Sequence, residues 1–299
     1  MFITLGVFLI LLLLFAALGY ALAAYSVHIR RQTPEQARAW QARHYDISWY
    51  DTLEKEDFTV TSFDGYRLYA QLLLHPAGGN RCVVISHGYT DNRFGSLKYA
   101  RMYLDLGFHV VIYDLRGHGV NEPALCTYSV LESRDLDAVI RAARERCPQA
   151  DFWGIHGESL GAATSVAVLK YHPPVDFVVA DCGFSEITDV MRAGLRRMHL
   201  PGALVRWASL FVRLRCGFRY RDMRPIDSLA GSRVPILFLH GEEDDFIIPE
   251  HSRRMQRAAQ GMSEIHLIPG AGHAVSILTD PEAYRRHVED FLAKIPRKE

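Results

Sequence analysis

The sequence predicts an α/β fold with a mostly parallel central sheet, preceded by one membrane-spanning helix. Short β-rich runs alternate with helical patterns from residue 58 onwards, residues 2–25 contain no charged side chain, and one apolar run ends in the turn motif GESLG at residues 157–161. Alternating strands and helices are typical of a parallel sheet with helices on both faces. With 299 residues, 49% of them hydrophobic, the chain is long enough for one large domain and a short appendage.

Charge and cysteine content exclude several classes of protein. The 34 basic and 34 acidic side chains balance, which argues against a nucleic-acid partner. The five cysteines lack CxxC or other metal-ligand spacing, so neither a disulfide framework nor a metal site is indicated. We therefore expect reduced thiols in the core and no cofactor. The sequence gives no indication of oligomeric state.

Residues 1–27 are predicted to be a transmembrane anchor. The apolar run at residues 2–25 is long enough to cross a hydrocarbon layer about 30 Å thick. A cleaved signal peptide is the alternative, because Ala21, Leu22 and Ala23 have the spacing of a cleavage site, but no Lys or Arg precedes the run. Arginines cluster after the span, within residues 30–43, which predicts that the bulk of the protein faces the cytoplasm.

Residues 28–56 are predicted to be a juxtamembrane linker, and residues 57–299 the folded domain. The linker mixes charged and aromatic side chains, which suits either the headgroup region or a plain amphipathic linker. A DG turn at Asp64 and Gly65 predicts a hairpin at the start of the domain. The predicted strands cover residues 58–62, 66–74, 82–86, 108–113, 151–155, 177–180, 236–239 and 265–268.

Helical patterns separate these strands, and one interval breaks the alternation. Helices are predicted near residues 96–106, 132–146, 160–169, 250–259 and 281–294. Residues 184–230 show helical runs and no strand pattern, and they carry many arginines beside apolar side chains. We interpret this interval as a helical cap over the sheet edge. Its arginines suit either solvent or an anionic lipid surface, and the sequence leaves both open.

Ser159, at the centre of the GESLG motif, is the candidate nucleophile. Glycines two residues before and after the serine leave room for a sharp strand-to-helix turn. A serine needs a base to take its proton and a third group to orient that base. His273 is the candidate base, because a glycine-rich loop after the last strand can return its imidazole to the sheet edge.

The orienting acid is expected in the acidic turn at residues 242–245. Counting forward from His240 favours Asp244, whereas counting back from Pro249 favours Asp245, and we prefer Asp244. A cation site or a solvated loop is the alternative interpretation of this turn. Its place between Ser159 and His273 in the chain favours a catalytic acid.

Two backbone amides are predicted to bind the oxyanion of the tetrahedral intermediate. One is the amide of Leu160, the residue after the nucleophile. The other is in the HGYT loop at residues 87–90, which directly follows a predicted strand, and we assign it to Tyr89.

Five motifs in order resemble the α/β-hydrolase superfamily, and most nearly its serine aminopeptidase-like, membrane-anchored bacterial hydrolases. They are HGYT (87–90), DLRGHG (114–119), GESLG (157–161), HGEEDD (240–245) and GAGH (270–273). The resemblance implies an α/β-hydrolase fold from about residue 57 and the triad Ser159, His273 and Asp244 or Asp245. One extra residue before Pro249 departs from the family pattern and keeps both acids open.

These observations lead us to expect a membrane-anchored serine hydrolase that cleaves carboxylic ester or thioester bonds. Its partners would be a small-molecule or lipid acyl substrate and, through the N-terminal helix, the membrane. An aminopeptidase or amidase with the same triad is one alternative. A non-catalytic membrane scaffold on a hydrolase fold is the other alternative. The intact triad argues against it, because a scaffold has no need to retain all three residues.

Overall fold

The computed structural model describes residues 2–296, in which eight strands form one sheet. The strands are β1 (Lys55–Thr61), β2 (Arg67–Leu73), β3 (Arg81–Ser86), β4 (His109–Tyr113), β5 (Phe152–Glu158), β6 (Phe177–Asp181), β7 (Ile236–Gly241) and β8 (Ser263–Ile268). Each coincides with a predicted strand to within about three residues. The predicted α/β class is confirmed.

The sheet is parallel except at its first edge. Its strand order is β1-β2-β4-β3-β5-β6-β7-β8, with antiparallel pairing only at β1–β2 and β2–β4. The predicted hairpin is present: Gly65 has a φ of 84°, which favours glycine, and Thr61 pairs with Arg67. The parallel strands bring the carboxyl ends of β3, β5, β6 and β7 to one edge, where ligands bind in such sheets.

Helices cover both faces of the sheet. They are α1 (Phe2–Val27), α2 (Pro34–His44), α3 (Trp49–Thr52), α4 (Leu97–Asp105), α5 (Val130–Arg146), α6 (Leu160–Ala167), α7 (Ile187–Arg197), α8 (Leu204–Cys216), α9 (Glu250–Ala258), α10 (Ser276–Thr279) and α11 (Pro281–Ala293). One core contains side chains of α5, α6, α7 and α8. The other contains side chains of α4 and α11, on the opposite face of the sheet.

All regular secondary structure in the interval predicted as a cap, residues 184–230, is helical. It contains α7, α8 and two short 3₁₀ turns, Tyr220–Asp222 and Pro225–Leu229. Gly217 ends α8 with a φ of 80°, a conformation that a residue with a side chain seldom adopts. Val205, Ala208 and Val212 of α8 are buried, so this helix is anchored to the rest of the domain.

The N-terminal helix α1 is long and apolar enough to cross a membrane, a criterion that a signal sequence also meets. Most of it is exposed, but Ala23 and Val27 are fully buried. In the interval predicted as a linker, Ala37 and Tyr50 of α2 and α3 lie in the core beside α4. β1 begins at Lys55, two residues before the predicted domain start.

Candidate active site

Ser159 lies between β5 and α6 in a strained backbone conformation. Its φ is 53° and its ψ is −112°, a combination rarely found outside glycine. The turn is tight enough that a Cβ on Gly157 would overlap the backbone of Gly161. A Cβ on Gly161 would overlap the carbonyl oxygen of Ser86 in β3. Both glycines of the motif are therefore steric requirements, as in a nucleophile elbow.

The structure brings Ser159, His273 and Asp244 together in one hydrogen-bonded chain. His273 Nε2 lies 2.9 Å from Ser159 Oγ, and His273 Nδ1 lies 2.7 Å from Asp244 Oδ2. With Nδ1 protonated, Nε2 has a free lone pair that can accept the serine proton. This is the arrangement that activates a serine for nucleophilic attack.

Asp244 and Asp245, which the sequence left as alternatives, point in opposite directions. The side chain of Asp244 is fully buried, and its Oδ1 accepts hydrogen bonds from the amides of Phe246 and Ile247, each at 2.9 Å. The side chain of Asp245 is 91% exposed and lies 3.4 Å from Arg197 of the cap. Asp245 therefore does not reach His273.

Asp244 is held in its ionised form. Burial by itself raises the pKa of this carboxyl, but hydrogen bonds from His240 and His273 outweigh burial and hold the pKa below its usual range. An ionised Asp244 can stabilise an imidazolium on His273 during the reaction.

The two predicted oxyanion donors lie beside Ser159. Leu160 opens α6, so its amide is at the positive end of that helix. A Cβ on Gly88 would lie 3.7 Å from Ser159 Cβ, which brings the 87–90 loop against the nucleophile. Within residues 2–296, neither the Leu160 nor the Tyr89 amide donates a hydrogen bond to another protein group. Both amides are available to a substrate oxygen.

A buried cluster of charged groups lies directly behind Ser159. Glu158 forms an ion pair with Lys98 of α4, whose Nζ also donates to the carbonyl of Ala274, next to His273, at 2.9 Å. Tyr99 Oη lies 2.6 Å from Glu158 Oε2 and 3.0 Å from Asp181 Oδ2. The cluster therefore connects the residue before the nucleophile to the loop that carries the candidate base.

Burial and the neighbouring Glu158 raise the pKa of Asp181 to about 6. Burial lowers the pKa of Lys98, but attraction to Glu158 outweighs burial and raises it, so Lys98 stays charged at neutral pH. The sequence patterns did not predict this cluster. The only available signals were a glutamate next to Ser159 and an aspartate at the end of a buried strand.

Three possible metal ligands converge at the triad, but they do not suit a metal ion. Ligand atoms of Cys182, Asp244 and His273 lie within 4.8 Å of one another. Burial and nearby acidic groups raise the pKa of the Cys182 thiol, whereas a metal needs a thiolate. His273 Nδ1 and Asp244 Oδ2 already form a hydrogen bond with each other.

Comparison with known proteins agrees with this fold. A profile of the alpha/beta hydrolase family matches residues 71–287. Uncharacterized protein YqkD of Bacillus subtilis is 30% identical over 92% of this chain and 92% of its own length. A Pseudomonas aeruginosa (R)-3-hydroxydecanoyl-ACP:CoA transacylase is 23% identical over 71% of this chain and 81% of its own.

Among solved structures, the Pyrococcus furiosus esterase Pf2001 superposes with a TM-score of 0.69 at 21% identity, covering 84% of this chain and 95% of its own. At this identity the similarity supports the fold alone. The family profile spans well over half of the chain, and the YqkD match extends nearly from end to end. The chain therefore belongs to the alpha/beta hydrolase family.

Proposed function

We propose that this protein is a membrane-anchored serine hydrolase that cleaves carboxylic ester or thioester bonds through an acyl-enzyme on Ser159. The observation that carries the proposal is the continuous contact from Ser159 Oγ through His273 to Asp244, at 2.9 and 2.7 Å. Two unengaged amides beside the serine complete the groups that acyl transfer requires.

In the first half of the reaction, Ser159 Oγ attacks the substrate carbonyl carbon while His273 Nε2 takes the hydroxyl proton. The carbonyl oxygen becomes an oxyanion, and the amides of Leu160 and Tyr89 donate hydrogen bonds to it. The imidazolium then gives its proton to the leaving alcohol or thiol, and the acyl group remains on Ser159.

In the second half, His273 takes a proton from water, and the resulting hydroxide attacks the acyl-enzyme. Collapse of the second tetrahedral intermediate releases the carboxylic acid and returns the proton to Ser159. Asp244 stays ionised throughout and stabilises the charged imidazole in both halves.

The charge beside the nucleophile favours an ester or thioester over a peptide with a free amine. Glu158 is the carboxylate adjacent to Ser159, and its charge is already neutralised by Lys98. An aminopeptidase needs an unpaired acid to bind the substrate ammonium group. The similar Pseudomonas aeruginosa protein is named as a transacylase, which also acts on acyl groups and supports the same substrate class.

The nucleophile is tested by comparing two serines of the same region. Ser159→Ala should lower kcat on a p-nitrophenyl ester by at least ~10³-fold and abolish labelling by a fluorophosphonate. Ser165→Ala is the matched control, because that hydroxyl is buried in α6 and has no hydrogen-bond partner among residues 2–296, so its loss should leave turnover unchanged. Full activity and labelling in Ser159→Ala would exclude the mechanism.

The scissile bond is tested with matched substrates. p-Nitrophenyl esters, acyl thioesters and aminoacyl anilides of the same chain length should be compared at equal concentration. We expect the highest kcat/KM for an ester or thioester. A preference for the anilides would favour the amidase alternative, and a folded protein that reacts with none of the acyl probes would favour the scaffold.

Anchoring by α1 and a cytoplasmic domain are part of the proposal. The exposed apolar surface of α1 and the arginines after it support this topology. Protease added to spheroplasts should leave the domain intact, whereas protease added to inverted membrane vesicles should digest it. Digestion in spheroplasts would show that the domain lies on the opposite side of the membrane.

A further inference from the structure

The buried end of α1 limits which residues can cross a membrane. From Ala23 onwards one side of α1 packs on the domain: Ala23 and Val27 are fully buried and Ser26 is 9% exposed, whereas Tyr25 on the other side is 62% exposed. We therefore take residues 2–22 as the segment that can cross a membrane. At about 1.5 Å per residue, these residues form a helix about 31 Å long. A hydrocarbon layer is about 30 Å thick, and any tilt requires more length. If α1 spans the bilayer, residues 2–22 are therefore all needed to cross it.

The cap helix α8 packs against this same stretch of α1. The Trp207 ring stacks on Phe15 with 4.5 Å between centroids, and its indole nitrogen donates to the Phe15 carbonyl at 3.0 Å. Gly19 leaves no space for a Cβ between α1 and the Trp207 and Phe211 rings. The contact of α8 with α1 therefore begins at Phe15.

The position of this contact places α8 below the membrane surface. Phe15 is seven residues before residue 22, which corresponds to a depth of about 10 Å inside the hydrocarbon boundary. Gly19 is about 5 Å inside. Helices that lie in a membrane interface bury their apolar side by roughly 5–10 Å.

The exposed face of α8 suits that position. Leu214 is 75% exposed and Leu210 is 40% exposed. With about 100° between successive residues, these leucines lie next to the Trp207 edge that contacts α1, and Arg206 and Arg213 follow farther around the helix. The apolar strip thus continues the lipid-facing surface of α1, with cations beside it.

The positive charge of the cap favours an anionic lipid surface. Residues 184–230 contain nine arginines and four acidic side chains, whereas the whole chain is neutral. Within the described residues, no carboxylate forms an ion pair with Arg206 or Arg213. Exposed, unpaired guanidinium groups at the headgroup level attract anionic lipids.

We propose that α8 is a membrane-inserted helix of the cap, with Trp207, Leu210 and Leu214 in the acyl region of an anionic lipid leaflet. Arg213 lies among the headgroups, and the long side chain of Arg206 extends towards them from the deeper end of the helix. The inference rests on the proposed membrane span of α1. It does not depend on the proposed hydrolase activity.

Depth-dependent quenching of tryptophan fluorescence tests the insertion. The full chain is reconstituted in vesicles of phosphatidylcholine and phosphatidylglycerol at a 3:1 molar ratio. In one set of vesicles the phosphatidylcholine carries bromine at acyl positions 6,7, and in the other set at positions 11,12. We expect quenching that is stronger for the deeper bromines, because Trp207 lies against Phe15, about 10 Å inside the hydrocarbon boundary. Trp207→Phe, which keeps an aromatic ring against Phe15, should lose that depth-dependent component. Equal quenching in both proteins would overturn the proposal.

The role of charge is tested with paired arginine variants in vesicles with and without phosphatidylglycerol. Arg206→Gln/Arg213→Gln should lose the increase in Trp207 quenching that the anionic lipid produces. Arg101→Gln/Arg286→Gln is the matched control, because both arginines are exposed on α4 and α11 at the opposite face of the sheet. Equal loss in both pairs would refute a specific role for α8.

Extraction at alkaline pH reports on α1 separately. A chain that resists extraction while Trp207 remains unquenched would retain the anchor and refute the insertion of α8. The same outcome is expected if Leu210 and Leu214 instead form a contact between two copies of the chain. A chain released by alkali would remove the basis of the proposal.

Discussion

Replacing Asp181 by asparagine should stabilise the domain at neutral pH and leave its stability nearly unchanged near pH 4. The Asp181 side chain is fully buried, with Tyr99 Oη at 3.0 Å and Ser276 Oγ at 3.3 Å. The Tyr99 hydroxyl has one proton and lies between two carboxyls, those of Glu158 and Asp181. A protonated Asp181 can donate to Tyr99 while Tyr99 donates to Glu158, and an asparagine amide can donate in the same way.

The expected magnitude follows from the raised pKa. Burial and Glu158 bring the pKa of Asp181 to about 6 in the folded protein, against about 3.9 in an unfolded chain. The folded state therefore binds this proton more tightly, and the stabilisation is complete below about pH 4 and lost as pH rises through 6. Two pKa units correspond to about 3 kcal/mol. Asparagine cannot ionise, so Asp181→Asn should avoid that loss.

Thermal unfolding of the full chain in detergent micelles, followed by circular dichroism from pH 4 to 8, measures the effect. The Tm difference between Asp181→Asn and the unmodified protein should be near zero at pH 4. It should rise to roughly 6–12 °C at pH 8, because a domain of this size gains about 2–4 °C per kcal/mol. Asp290→Asn, at an exposed position of α11, is the control and should show no such trend.

A Tm difference that stays constant across this range would refute the argument. A lower Tm for Asp181→Asn at pH 8 would refute it in another way. That result would mean that attraction to Lys98 dominates and that the ionised carboxylate stabilises the fold.

Three further predictions concern the elbow, the acid and the buried charges. Gly161→Ala should abolish turnover in an esterase assay, because its Cβ would overlap a backbone carbonyl. Gly194→Ala, which has open space around it in α7, should raise the free energy of unfolding by about 0.5–1 kcal/mol and therefore raise the Tm. Asp244→Asn should lower kcat by about 10⁴-fold and Asp245→Asn should leave it nearly unchanged; similar losses in kcat would contradict the assignment. Arg116→Met leaves two carboxylates without their cation and should lower the free energy of unfolding by about 3–5 kcal/mol in denaturant titrations; a loss below ~1 kcal/mol would contradict it.

The sequence predicted the fold well because the information is local. Each of the eight strands is a short β-rich run bounded by turn residues, and hydrophobic periodicity identifies such runs without tertiary knowledge. The order of serine, acid and histidine along the chain also predicted Ser159, an acid in the 242–245 turn and His273. The structure brings these three side chains together at one sheet edge.

What the sequence left open depends on contacts between distant residues. Asp244 and Asp245 are neighbours, and the amides of Phe246 and Ile247, together with the distant His273, hold the Asp244 carboxylate inward. The pairing of Lys98 with Glu158 joins residues 60 positions apart and has no spacing rule. The contact of Trp207 with Phe15 joins residues almost 200 positions apart, so periodicity could describe α8 and α1 separately but not their packing.

The last turn of α1 connects the apolar N-terminal helix to the candidate active site. The Tyr89 hydroxyl donates to the His28 carbonyl at 2.8 Å, and Ser26 Oγ lies 2.5 Å from the Tyr220 hydroxyl of the cap. The residue that supplies the proposed oxyanion amide thus contacts the residue that follows α1, and the cap contacts the last turn of α1. Because a misplacement of about 1 Å at a reacting centre can cost on the order of 10² in rate, the end of α1 has to be held as firmly as the triad itself. We therefore regard the end of α1 as a structural part of the candidate active site, in addition to its proposed role as an anchor.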